Sequence, residues 1–200
     1  MSVSASTDRM TAEDFFRWIS LPENRDLHAE LEQGEIVEMP PPGKYHGFVC
    51  GNVARILGNY AARRGRGYVC TNDAGLLVER DPDTVRGPDV TFYDDSQTAE
   101  TMDRQFAERP PSLAVEVLSP NDRPNRTMLR ISQLLRLGVQ MIWVVDPETH
   151  DVSVYRAKQS SRLVPADETL TGDDVLPDFR CLTGEFFHLP GQAPGLTSRP

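Results

Sequence analysis

Two carboxylates stand where their neighbours are apolar. Asp89 sits in "GPDVTFY" just before the run Val90–Tyr93, and Glu116 sits inside "SLAVEVLS" (112–119). Side chains of an extended strand alternate between its faces. Leu113, Val115 and Val117 therefore share one face, and Ala114, Glu116 and Leu118 the other. An ionised carboxylate in such an element is too costly to keep without a partner. A neighbouring arginine, or a sheet edge open to water, would supply one. So would a hard divalent cation shared with Asp89, since Mg²⁺ typically takes one or two protein carboxylates, waters and substrate phosphate oxygens. For Asp89 alone, Gly87-Pro88-Asp89 is also ordinary turn chemistry, with the aspartate bonding its own backbone. Pro88 fixes its φ and removes a donor, while Gly87 tolerates backbone angles that other residues do not. Together they set the direction in which the chain enters the strand.

The elements that must position these acids are legible from periodicity. "TAEDFFRWI" (11–19) opens with a Thr11/Asp14 capping pair and predicts a short helix packing Phe15, Trp18 and Ile19. "HAELEQGEIVEMP" (28–40) predicts a β-hairpin turning at Gln33-Gly34. In 46–65, Val49, Val53, Ile56, Leu57 and Tyr60 mark one face of a helix, with interior glycines suited to close packing on a sheet. Strands at "GYVCT" and "AGLLVER", a turn at "DPDTVRG" and the strand "PDVTFY" follow. "SLAVEVLS", a helix over 126–138 stopped by Gly138, and the apolar strand "VQMIWVVDP" form a βαβ unit. In that helix Met128, Ile131 and Leu135 are expected to face the sheet. "VSVYRA" is a last strand. The fold class is α/β of mixed α+β character: one central mixed sheet flanked by helices, with an N-terminal helix and hairpin. A single domain over 11–188 is expected, with flexible ends at 1–10 and 189–200, which are rich in Ser or in Pro and Gly.

With 200 residues, 38% of them hydrophobic, the chain can build one sizeable core. No apolar run approaches the ~18 residues that span a bilayer, and the first residues lack a secretory pattern, so a cytoplasmic protein without a membrane partner is expected. The three cysteines are odd in number and widely spaced, which fits neither a disulfide framework nor a Cys-x-x-Cys metal clamp. A net charge of −9 argues against a broad electrostatic grip on nucleic acid. It leaves room for a local basic strip: Arg123, Arg126, Arg130 and Arg136 stand against the single acid Asp122 in 121–138, and "ARRGRG" (62–67) adds Arg63, Arg64 and Arg66. A solvated helix face explains the same arginines.

The order "AELEQGEIVEMPPP", His46, "GPDV", "VEVLSP" (116 − 89 = 27 positions between the acids), an Arg-rich helix, "GVQMIWVVDPETHDVSVYR" and "LPDFRCLTGEFF" resembles the bacterial putative restriction endonuclease family of the PD-(D/E)XK nuclease superfamily. The likeness runs over most of 12–188. It implies a restriction-endonuclease-like core and a Mg²⁺ (or Mn²⁺) site on Asp89 and Glu116, with the Val117 carbonyl as third ligand. It also implies Glu30 as a further acid beside the metal, hydrolysis of DNA phosphodiesters by a metal-activated water, and a homodimer. Two departures touch the chemistry. Leu118 stands where a strict Glu-x-Lys has lysine, and Arg130 stands where relatives carry that lysine on the following helix, with Leu134 in place of an aromatic one turn on. Arginine holds a phosphate but does not act as a base.

Arg123, Arg126, His46 and Lys44 are candidate nucleic-acid contacts. His46 precedes a helix N-terminus, which favours anions, and serves equally in capping or packing; Lys44 is equally a solvated lysine. Two rival functions remain open. One is a nucleic-acid-binding module whose catalysis Arg130 has weakened, and the other a metal-free hydrolase using two carboxylates.

Overall fold

The computed structural model describes residues 9–120 and 122–189. The expected flexible ends at 1–10 and 189–200 lie for the most part outside the described residues. Met10 does not belong to a loose end: its N–H bonds the Gly34 carbonyl at the hairpin turn.

Helix α1 (Ala12–Ile19) begins as its sequence requires, with the Thr11 hydroxyl accepting the Asp14 N–H at 3.1 Å. It rests Phe15 on Leu31 and Val85 of the first sheet. That sheet has four strands in the order β2-β1-β5-β4, comprising β1 (Ala29–Glu32), β2 (Glu35–Glu38), β4 (Leu76–Glu79) and β5 (Thr84–Arg86). The predicted hairpin is β1–β2. Its further partner β5 lies within "DPDTVRG", read above as a turn, because three buried residues flanked by turn formers carry too short a pattern to be recognised.

The central sheet has six strands in the order β10-β9-β8-β7-β6-β3. These are β3 (Tyr68–Thr71), β6 (Val90–Tyr93), β7 (Leu113–Val117), β8 (Met141–Asp146), β9 (Asp151–Tyr155) and β10 (Arg162–Val164). Only β7 and β8 run parallel, joined by α3 (Pro124–Leu137), so the sheet is mixed. Its two faces follow the alternation of β7. Leu113, Val115 and Val117 join the larger core beneath α2 (Lys44–Arg64), and Ala114 joins the core beneath α3. A third, two-stranded sheet, β11 (Thr169–Gly172) and β12 (Leu176–Leu182), adds Leu170, Phe179 and Cys181 to the α2 side.

Helix α2 begins at Lys44, so Lys44 and His46 lie within its first turn and do not precede it. A Cβ at Gly51 or Gly58 would meet nothing within 4 Å; these glycines do not serve close packing. On α3 the buried residues are Ile131, Gln133 and Leu134, whereas Met128 is 49% exposed. The packing face is thus rotated from the expected one, because α3 is covered on one side by the central sheet and on another by β4 of the first sheet. Among the described residues no helix is long and apolar enough to cross a membrane.

Candidate functional site

The Asp89 and Glu116 carboxylates meet where β6 begins and β7 ends, between the first turn of α2 and the middle of α3. β6 and β7 are antiparallel, with Val90 opposite Val115, so the residue before β6 lies beside the end of β7. Asp89 Oδ2 accepts the Val117 N–H at 2.7 Å. His46 leans in from α2, with Nε2 at 2.9 Å from the Val117 carbonyl oxygen and 3.4 Å from Asp89 Oδ1. Its Nδ1 is 3.5 Å from Cys50 Sγ, one turn further along the helix. Hydrogen bonding to Asp89, then to Cys50, pushes the imidazole pKa up to about 11 against the opposing effect of burial.

On the α3 side, Arg130 bridges two acids. One guanidinium nitrogen donates to both Glu30 carboxylate oxygens at 2.6 and 2.7 Å; the other donates to both Glu116 oxygens at 3.1 Å and to the Gly87 carbonyl at 3.2 Å. Glu30, on β1, also accepts the Gly87 N–H at 2.8 Å and Arg86 Nη1 at 3.0 Å. Arg86 in turn donates to Gln133 on α3. Gly87 has its place for want of room: a Cβ there would fall 2.7 Å from the Asp73 carbonyl oxygen. The glycine is demanded by close approach of the 73 loop, and the backbone angles expected of it from sequence are not the reason.

Charge is unbalanced here. Glu30, Asp73, Asp89 and Glu116 act on one another, and the cations among these four acids are the Arg86 and Arg130 guanidiniums and the protonated His46 imidazole. Burial pushes Glu116 up to about 7, with Asp89 and Glu30 adding to the rise and Arg130 opposing it. Burial also raises Asp73, helped by Asp89, although His28 at 2.9 Å works the other way. Burial acts to raise Glu30 too, but Arg130 and the Gly87 N–H outweigh it and leave this carboxyl below its usual range.

Asp89, Glu116, Val117, Glu30, Arg130 and His46 thus converge. The remaining candidates do not enter this cluster. Lys44 and Arg123 are exposed, and Arg126 pairs with Glu32. Arg64 and Arg66 pair with Asp94, at the end of β6 opposite Asp89. Asp73, Arg86, Gln133 and Cys50 were not singled out from sequence. Asp73 reads as a turn residue in "TNDAG" and Arg86 as the end of a turn, and no local pattern marks either.

The donor set suits a hard divalent cation: carboxylate oxygens, a strand-end carbonyl and surplus negative charge. Asp89, Glu116 and the Val117 carbonyl are the oxygen donors that the ends of β6 and β7 bring side by side, and a hard cation bound here would take them. To do so, Glu116 must exchange part of its contact with Arg130, and the Val117 carbonyl its bond from His46. Every buried side-chain nitrogen and oxygen among the described residues already has a partner.

No curated protein matches the chain. Among solved structures it resembles a crystal structure of a putative nuclease belonging to DUF820 from Anabaena variabilis, with a TM-score of 0.74 at 19% identity over 89% of this chain and 97% of that one. The likeness establishes a shared fold. The family model Uma2, described as "Putative restriction endonuclease", matches residues 12–184. The chain therefore belongs to the putative restriction endonuclease family.

Proposed function

We propose that the protein is an endonuclease that hydrolyses DNA phosphodiesters with a divalent cation, Mg²⁺ or Mn²⁺, held by Asp89, Glu116 and the Val117 carbonyl. The observation that carries this reading is the gathering of Asp89, Glu116 and Glu30 at the β6/β7 junction beside the Val117 carbonyl, where burial first, and then the neighbouring acids, raise the Glu116 pKa to about 7 against Arg130. Family membership supports a nucleic-acid substrate. A cation bound there lowers the pKa of a water and neutralises charge on phosphate oxygens.

The chain's own residues prepare that centre. Asp89 is held by the Val117 N–H, which fixes one oxygen and leaves the other facing His46. Arg130 keeps two buried acids ionisable and presents a planar donor fork suited to a phosphate oxygen. It does not remove a proton from water, so the base must be a carboxylate or hydroxide from solvent. The α2 N-terminus, with exposed Lys44, offers positive potential to the backbone of a bound strand. A homodimer would present one centre to each strand of a duplex, and the reading includes it, with the protein working in the cytoplasm where its free cysteines stay reduced.

The tight Arg130 bridge favours a second reading, a nucleic-acid-binding module with little turnover, because arginine neutralises the two acids a cation would need. Plasmid nicking decides between them: cleavage with Mg²⁺ or Mn²⁺ and none with EDTA supports the nuclease. DNA binding without cleavage supports the module, and cleavage that survives EDTA points to carboxylate hydrolysis without metal.

A further inference from the structure

We propose that His46, Cys50 and Asp89 form a second kind of cation site, one for a borderline transition ion of the Zn²⁺ type. It overlaps the hard-cation position at Asp89 without using Glu116. Three observations carry it. His46 and Cys50 are four residues apart on α2, so they share one helix face, and that face turns toward the start of β6. One ligand atom from each of His46, Cys50 and Asp89 can be chosen so that all lie within 4.8 Å of one another. The donors are imidazole nitrogen, sulfur and carboxylate oxygen, a mixed set that favours Zn²⁺ or Co²⁺ over Mg²⁺, which takes oxygen alone.

The distances lie close to what such an ion needs. With metal–ligand bonds of about 2.0–2.3 Å, tetrahedral donors stand roughly 3.3–3.8 Å apart. The pairs Nδ1–Sγ and Nε2–Oδ1 already measure 3.5 and 3.4 Å. They use different ring nitrogens, so one nitrogen must serve both neighbours, and a closure of about 1 Å among the three side chains suffices. The Val117 carbonyl, 2.9 Å from Nε2, or a water fills the fourth position. Binding replaces the proton on the coordinating nitrogen and the thiol proton of Cys50, and both protons leave to solvent. The side chains of His46 and Asp89 are 13% and 15% exposed, which leaves the site recessed but reachable. Glu116 stays with Arg130, so this ion does not have to displace the guanidinium. Because both sites draw on Asp89 and the Val117 carbonyl, the two ions compete for the same donors. That competition rests on the nuclease reading above; the binding itself does not.

Cobalt chloride titrated into the full-length protein, with a reductant that is not a thiol, tests the site. One equivalent should produce a near-ultraviolet sulfur-to-cobalt charge-transfer band that zinc chloride bleaches. The band should vanish in Cys50→Ser, weaken in affinity by about tenfold or more in His46→Ala, and persist in Cys70→Ser. Absence of the band, or its loss in Cys70→Ser with retention in Cys50→Ser, overturns the proposal. A second measurement needs no variant: zinc should protect Cys50 from alkylation in the parent and leave Cys70 reactive, and equal alkylation of Cys50 with and without zinc counts against the site. If zinc also suppresses Mg²⁺-supported nicking in the parent but not in Cys50→Ser, the shared use of Asp89 follows. A parent that never nicks defeats the nuclease reading, while the cobalt band still decides this one.

Discussion

Strand β6 is bracketed by two aspartates of similar exposure that meet opposite fates. Asp94, after the strand, accepts from Arg66 at 2.7 Å and pairs with Arg64 at 3.2 Å, so one acid faces two arginines. Asp89, before the strand, joins three further acids, and these four carboxyls are served by three cations, two arginines and the protonated His46 that lies between the Asp89 carboxylate and the Val117 carbonyl. Exposure does not separate the two ends, since the aspartate side chains are 15% and 17% exposed. The local balance of charge does. An acid with surplus cations around it is a surface tie, and an acid with surplus acids around it is a place for a cation.

The sharpest way to break this contrast is to remove each aspartate in turn. Asp89→Ala should abolish Mg²⁺-supported plasmid nicking, a loss of about a thousandfold or more, since several kcal/mol of charge stabilisation go with the cation. Asp94→Ala should nick at the parent rate. Equal losses in both would show that the two ends do not differ in the way described.

The arginines give the next largest separation. Arg130→Ala leaves Glu30 and Glu116 buried with a partner gone and should cost on the order of 3–5 kcal/mol in urea unfolding. Arg66→Ala removes a half-exposed partner and should cost no more than about 1 kcal/mol.

The site end should also make stability depend on pH. Glu116 is raised from 4.5 to about 7, so its contribution to metal-free stability is full below pH 4.5 and is lost as pH rises through 7, up to about 3 kcal/mol. His46 and Asp73, also raised, push in the same direction. In EDTA, thermal melts of the parent should therefore fall between pH 5 and 8. Glu116→Gln should make that fall shallower, leaving the part due to His46 and Asp73, and Arg66→Ala should keep it whole.

Smallest is the effect of changing the cation without removing it. Arg130→Lys replaces a four-oxygen bridge by a compact ammonium, which frees Glu116 in part. Metal affinity measured by calorimetry should rise and nicking should speed up by about tenfold, equivalent to ~1.4 kcal/mol. Equal rates in the two proteins would mean that arginine already fills the role of lysine.

Much of this architecture was written locally. The capped first helix, the hairpin, the alternation of β7 and the βαβ unit from β7 to β8 each repeat a period within one element, and period is what a sequence displays. Asp89 and Glu116 stood out for the same reason, as acids interrupting apolar strands. β5, β10, β11 and β12 were not recognised as strands, because short segments with mixed patterns take their structure from their neighbours in the sheet. The face of α3 was misjudged at Met128, since a helix held between two sheets is buried by both, and its own apolar stripe does not say where the second lies.

The sequence by itself determined the mixed α/β core and the two strand acids, because backbone periodicity and the cost of burying a bare carboxylate act within a few residues. Only the tertiary structure decided what those acids meet. Glu30, Asp73, Arg86 and Arg130 come from four separate segments, and His46 arrives with Cys50 on a fifth. Their interactions depend on distances across space that spacing along the chain does not encode. The Arg130 bridge between Glu30 and Glu116, a hundred positions apart at its wider span, is set by the packing of α3 against both sheets.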